Sequence, residues 1–85
     1  MQIIYTSKFE REYRKLSNEI KLAAKRKEKF FRINSFHPSL VTHKLSGKFR
    51  DFWAFSIDYK NRIIFEFGDH NIVFFHSIGD HDIYK

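Results

Sequence analysis

No cysteine occurs among the 85 residues, so neither a disulfide framework nor a thiolate-bound zinc can staple the chain. The lack of thiols fits a reducing compartment, and a cytoplasmic location is expected. Three glycines are too few for a glycine-rich loop that cradles phosphate, and a nucleophilic cysteine is excluded outright. No stretch approaches the eighteen or more apolar residues that span a bilayer, and Met1-Gln2-Ile3-Ile4-Tyr5 is too short and uncharged for a signal peptide. No membrane role is expected. The single proline, Pro38, falls in the one region without strong periodicity.

Large aromatic side chains are abundant instead: eleven Phe, four Tyr and one Trp. A chain of this length has room for one hydrophobic core, so a single domain over residues 1–85 is expected, held by the large area each ring buries. The net charge of +6 is unevenly spread. Residues 1–50 carry thirteen Lys or Arg against four Glu, a balance of +9, while residues 51–85 carry three against six acids. A basic half of this kind suits a polyanionic partner, because cations that neutralise phosphates release counterions; the plainer reading is a solvated helix face.

Ile3, Ile4 and Tyr5 suggest a short first strand, and Ser7-Lys8-Phe9-Glu10 matches a capping box that opens a helix. Phe9, Tyr13 and Leu16 follow at helical spacing. Leu16-Ser17-Asn18 reads as a break with a new N-cap, after which Ile20, Ala23, Ala24 and Phe31 share the buried stripe of a longer helix. Lys21, Lys25 and Lys29 repeat at i, i+4 on its other face. Residues 34–48 read as a loop leading into a strand. Trp53, Phe55, Ile57 and Tyr59 then alternate with Ala54, Ser56 and Asp58, and Lys60-Asn61 makes a turn. Ile63, Phe65 and Phe67 continue one face while Arg62, Ile64 and Glu66 take the other; Gly68-Asp69-His70-Asn71 turns the chain into a last strand over 72–78. The expected class is α+β: a strand, two helices, then a three-stranded antiparallel meander, with helices on one sheet face and Arg62 and Glu66 on the free one.

Histidine handles protons near neutral pH, and there are five. His70 falls in a turn and His76 within the last strand, where a structural role is the simpler reading. His43 precedes the meander and His81 follows it, and the ends of a sheet can approach. No two histidines stand four apart, so neither a metal nor any other cofactor is expected. Metal-independent RNA cleavage needs a base for the ribose 2′-hydroxyl, an acid for the departing 5′-oxygen and cations for the charged phosphorane. His43 and His81 could supply the proton transfers, and Lys44, Lys48, Arg50 and Arg62 the charge.

Four runs carry a resemblance to a known family: His43-Lys44-Leu45-Ser46-Gly47, Phe52-Trp53-Ala54-Phe55-Ser56-Ile57, Asn61-Arg62-Ile63-Ile64-Phe65-Glu66-Phe67 and Ile78-Gly79-Asp80-His81-Asp82-Ile83-Tyr84. In order and spacing they resemble the RelE/ParE superfamily of toxins, most of all its RelE and YafQ branch. The resemblance implies a compact toxin of a type II toxin–antitoxin system that cleaves mRNA, on the ribosome, with a cognate antitoxin as partner. It places His43 where YafQ-like members have a catalytic histidine and YoeB-like members a glutamate. Arg62 matches an arginine that contacts phosphate, His81 a position held by histidine or a basic residue, and Tyr84 an aromatic residue that stacks on or orients a base. Lys44 and Lys48 resemble RNA-contacting lysines of RelE at a different spacing, with Arg50 beside them. Ser56 stands where some YafQ-like members carry a further histidine. The rival reading is a ParE-like protein that binds and poisons DNA gyrase without cutting RNA.

Overall fold

The computed structural model describes residues 1–84; Lys85, the last residue of the expected 1–85 domain, lies outside them. The chain opens with β1 (Gln2–Tyr5), whose residues pair in parallel with β5 (Ile72–Gly79) from Gln2 opposite Ile72 to Tyr5 opposite Phe75. Thr6 ends the strand and begins α1 (Ser7–Arg14): its hydroxyl accepts from the Phe9 N–H at 3.1 Å and donates to the His76 carbonyl at 3.1 Å. The cap is therefore Thr6 rather than the expected Ser7. The extended backbone of Thr6, inherited from the strand, is the geometry an N-cap requires.

Ser17 caps α2 (Asn18–Ile33) as expected, accepting from the Ile20 N–H at 3.3 Å. A short 3₁₀ turn at Pro38–Leu40 follows, and Leu40 plugs the core from it, fully buried. The expected loop before the meander contains β2 (His43–Lys44), which pairs antiparallel with β3 (Trp53–Ser56): His43 lies opposite Ala54 and Lys44 opposite Trp53. β4 (Arg62–Phe67) and β5 complete the expected meander. With β1 on one edge and β2 on the other, the sheet has five strands in the order β1-β5-β4-β3-β2.

The β3–β4 connection is tighter than alternation suggests, because β3 stops at Ser56 and Tyr59 stands 94% exposed. Asp58 holds it: one carboxylate oxygen accepts from the Lys60 and Asn61 N–H groups at 2.8 and 2.6 Å, and the buried Asn61 amide donates to both oxygens. Between β4 and β5, His70 and Asn71 both take positive φ, and the Ile72 N–H bonds to the Asp69 carbonyl. That is a type I′ turn, whose twist matches the hairpin.

Both helices lie on the sheet face that carries Phe55, Ile63, Phe65, Val73 and Phe75. Phe31 of α2 is the centre of this layer: its ring is 0% exposed and sits 4.8, 4.9 and 5.4 Å from the rings of Phe55, Phe65 and Phe75. Removing such a ring costs about 3–5 kcal/mol, a large share of the stability of a small protein.

Candidate nucleic-acid interface

Residues directly opposite in neighbouring strands share a face, and so do residues two apart along one strand. Starting from Arg62, these two rules collect Ser56, Ala54 and His43 across the sheet, Ile64 and Glu66 along β4, and Phe74 opposite Glu66. None belongs to the helix-covered core. On this face Arg62, Glu66, Ser56 and His43 are accessible, as expected for Arg62 and Glu66, whereas Ala54 and Ile64 are buried at 0% and 3% exposure. His76 joins it through a β-bulge: Ile64 lies opposite Ser77 but Phe65 opposite Phe75, so His76 is the extra residue. Bulges re-aim side chains in this way. His76 Nε2 is 3.0 Å from Glu66 Oε1.

At the end of the sheet where β4 begins, Arg62 and His81 line one depression of about 390 Å³, together with Tyr59, Lys60, Asp80 and Asp82. The chain folds back there because Gly79 has no side chain: a Cβ would meet the Ile83 methyl at 2.7 Å. The 3₁₀ turn His81–Tyr84 that follows brings the Tyr84 ring 5.4 Å from His81 and 6.1 Å, edge-on, from Phe49. Burial pushes the Tyr84 hydroxyl above the usual tyrosine pKa, and the nearby positive charge of Arg62 opposes the shift. The guanidinium of Arg62 also donates to the Lys60 carbonyl at 3.3 Å.

His43 shares the free face but not the depression. Its Nδ1 is 3.1 Å from the Val41 carbonyl. A carbonyl only accepts, so Nδ1 is the donor in this contact, and in the neutral ring Nε2 is left as the acceptor. Three strand spacings, roughly 14 Å at about 4.8 Å each, separate β2 from β5, so His43 and His81 flank the Ser56 and Arg62 row from opposite sides.

The three other cations expected at the site divide. Lys48 does not line the depression; its Nζ is 5.2 Å from the centroid of the Phe49 ring, and that ring in turn meets Tyr84 edge-on at 6.1 Å. Lys44 pairs with Trp53 on the helix-side face and places its Nζ 5.8 Å over the indole, away from the Arg62 face. Arg50 is exposed after the short turn Gly47–Phe49, where its N–H bonds to the Gly47 carbonyl. Most of the basic charge of residues 1–50 lies elsewhere: Arg11, Arg14, Lys15, Lys25, Arg26, Lys29 and Arg32 are exposed on the helices, behind the sheet. Composition alone could not separate these two surfaces. The aromatic residues Phe49 and Phe52 were also missed, because they precede β3 and follow no alternation.

Among the described residues no group of three or more His, Cys, Asp or Glu side chains is placed to hold a metal ion, and no helix is long and apolar enough to cross a membrane.

The fold of a mixed five-stranded sheet with β1 parallel to β5 and two helices on one face is similar to that of several toxins of solved structure. Solved structures of similar fold include the YoeB/ParE toxin from Agrobacterium tumefaciens, at 13% identity over 95% of this chain and 99% of that one, with a TM-score of 0.80. YafQ from E. coli is 18% identical over 98% and 96%, with a TM-score of 0.66, and the toxin–antitoxin complex RelBE2 from Mycobacterium tuberculosis is 17% identical over 94% and 96%, with a TM-score of 0.71. No protein-family model matches the chain, and no curated protein matches it by sequence.

Proposed function

We propose that the protein is the toxin of a toxin–antitoxin pair and a metal-independent endoribonuclease that cleaves mRNA on the ribosome. The observation that carries this reading is the shared depression of Arg62 and His81, with Tyr84 beside both. A scissile phosphate over the Ser56 and Arg62 row would meet the guanidinium, with one histidine on each side. His43 Nε2 takes the 2′-hydroxyl proton, the 2′-oxygen attacks phosphorus, and the P–O5′ bond breaks as protonated His81 delivers a proton to the leaving oxygen. Arg62 and Lys48 stabilise the charge that accumulates on the phosphoryl oxygens. Tyr84 stacks on or orients a neighbouring base, and the exposed Arg50 contacts the strand further out. Lys44, on the opposite sheet face, contributes to RNA binding only at the sheet edge. The fold's occurrence in a toxin–antitoxin complex supports an antitoxin as the cognate partner.

Purified protein incubated with RNA in EDTA is expected to yield 2′,3′-cyclic phosphate or 3′-phosphate ends and 5′-hydroxyl ends. Activity abolished by EDTA and restored by magnesium would overturn the mechanism. A protein that leaves RNA intact and blocks gyrase supercoiling would replace it with the gyrase-binding reading.

A further inference from the structure

Beyond the depression of Arg62 and His81, the free face carries a second cluster that the proposed reaction does not use. The His76 ring lies 4.9 Å from Phe52, edge-on, and 6.2 Å from Phe74 at 29°. All three are partly exposed. Phe74 is held in place by Gly68, where a Cβ would come within 2.8 Å of its ring. His76 is held by Glu66 Oε1, and both side chains remain accessible, at 31% and 40%. Glu66 Oε2 accepts no hydrogen bond from the described residues.

We propose that Phe52, Phe74, His76 and Glu66 form a base-binding subsite for the RNA strand whose phosphate lies at Arg62. The proposal rests on the nuclease reading and adds a specificity determinant to it. Fixed, partly exposed rings on an open sheet face are the platform on which unpaired bases stack. Glu66 stands four residues along β4 from Arg62, roughly 13 Å at about 3.3 Å per residue, a span that a short single-stranded segment covers. The open oxygen of Glu66 is an acceptor only, so the subsite takes a base that offers an exocyclic amino group, adenine, cytosine or guanine, and disfavours uracil, whose one base donor, N3–H, lies between two carbonyl oxygens that a carboxylate repels. The requirement is for unpaired RNA, since a duplex would bury the stacking faces.

The test is fluorescence anisotropy with single-stranded oligonucleotides carrying a 2′-deoxy sugar at the cleavage position, which bind but do not react. Wild-type protein is compared with Phe74→Leu, Glu66→Gln and, as a marker of the phosphate site, Arg62→Ala. Phe74→Leu is expected to weaken binding about tenfold. Glu66→Gln, isosteric and on the surface, is expected to leave affinity for amino-bearing bases reduced and discrimination against uracil lost. Arg62→Ala weakening binding while folded Phe74→Leu and Glu66→Gln change neither affinity nor base preference would overturn the subsite and leave the nuclease reading standing. Wild-type protein that binds no RNA, neither the free oligonucleotide nor the same segment presented on a ribosome, would overturn both.

Discussion

The Ser77 hydroxyl of β5 donates to Glu12 Oε1 of α1 at 2.7 Å. The same oxygen accepts the Ile78 N–H at 3.2 Å, and Lys8 donates to Ser77 Oγ at 2.8 Å and to Glu12 Oε2 at 3.0 Å. The reason lies in the sheet. β1 ends at Tyr5, opposite Phe75, so the edge of β5 beyond that point has no strand partner. Helix α1 supplies the missing groups: Thr6 donates to the His76 carbonyl, and Glu12 accepts from Ile78. The segment so anchored leads directly into Gly79 and His81.

Glu12→Ala is therefore expected to cost about 2 kcal/mol, the usual price of a buried N–H and hydroxyl left without a charged acceptor. For a protein of this size that lowers the melting temperature by roughly 8–16 °C. Glu12→Gln keeps an acceptor oxygen and should lose less. Thermal melts followed by circular dichroism separate the outcomes, and equal melting temperatures for Glu12→Ala and wild type would show that water replaces the carboxylate.

Asp58 gives a pH dependence. Burial alone would raise its carboxyl pKa, but the hydrogen bonds from the Asn61 and Lys60 backbone and the Asn61 amide, with the charge of Lys60, outweigh it and hold the group below the usual carboxylate value. A depressed pKa in the folded state means that the unfolded chain takes up the proton first on acidification. The stabilisation is thus complete above the unfolded value of about 4 and is lost as pH falls through the lower folded one. In urea titrations across that range, wild type should exceed Asp58→Asn in midpoint at pH 6 and converge with it in acid. A gap that stays constant with pH would show that the carboxylate charge plays no part. The loop leads into Arg62, so cleavage should weaken in Asp58→Asn as well.

The elements that recur with a period are legible in the sequence: the alternation of Ile63, Phe65 and Phe67 against Arg62, Ile64 and Glu66 separates the two faces of β4. The Ser17 cap followed from residue chemistry. Pairing between distant segments was not legible. Nothing local says that β1 joins β5 in parallel, or that His43 and Lys44 form a strand, since two residues are too few for a pattern. His76 read as structural because a bulge cannot be seen in one strand alone; it arises from the register against β4. Charge counting gave the total and its place in the chain but not its place in the fold, where most of the exposed lysines and arginines of residues 1–50 lie on the helices.

The acid–base assignment predicts that His43→Ala and His81→Ala each slow cleavage by about 10²- to 10⁴-fold. Arg62→Ala should lose about 10²- to 10³-fold, as for other groups that stabilise a developing anion. All three residues are exposed or half-buried outside the core, so circular dichroism should show folded variants. His70 has φ +57° in the type I′ turn, and His70→Asn, a residue that tolerates this conformation, is the matched control with unchanged activity. Primer extension follows the cleavage, and growth arrest on expression gives the cellular readout. Full toxicity of folded His43→Ala and His81→Ala would exclude both from the chemistry.

The separation of the basic helices from the Arg62 face yields the last prediction. The exposed cations Lys25, Lys29 and Arg32 on α2 and Arg11 and Arg14 on α1 form a surface behind the sheet, where a strand bound at Arg62 does not reach. An antitoxin with an acidic segment that folds on contact would be steered to that surface by long-range attraction, which raises association rates and decays with salt. Charge reversal at Lys25→Glu and Lys29→Glu together is expected to slow association with the antitoxin roughly tenfold or more at low salt and to flatten its salt dependence. Cleavage of naked RNA should stay within about twofold of wild type, because screening over roughly 10 Å isolates the two faces. Stopped-flow association across a salt series, run beside the cleavage assay, reads both. If the double variant loses RNA cleavage while antitoxin association is unchanged, the basic helices serve the nucleic acid and the partner docks elsewhere.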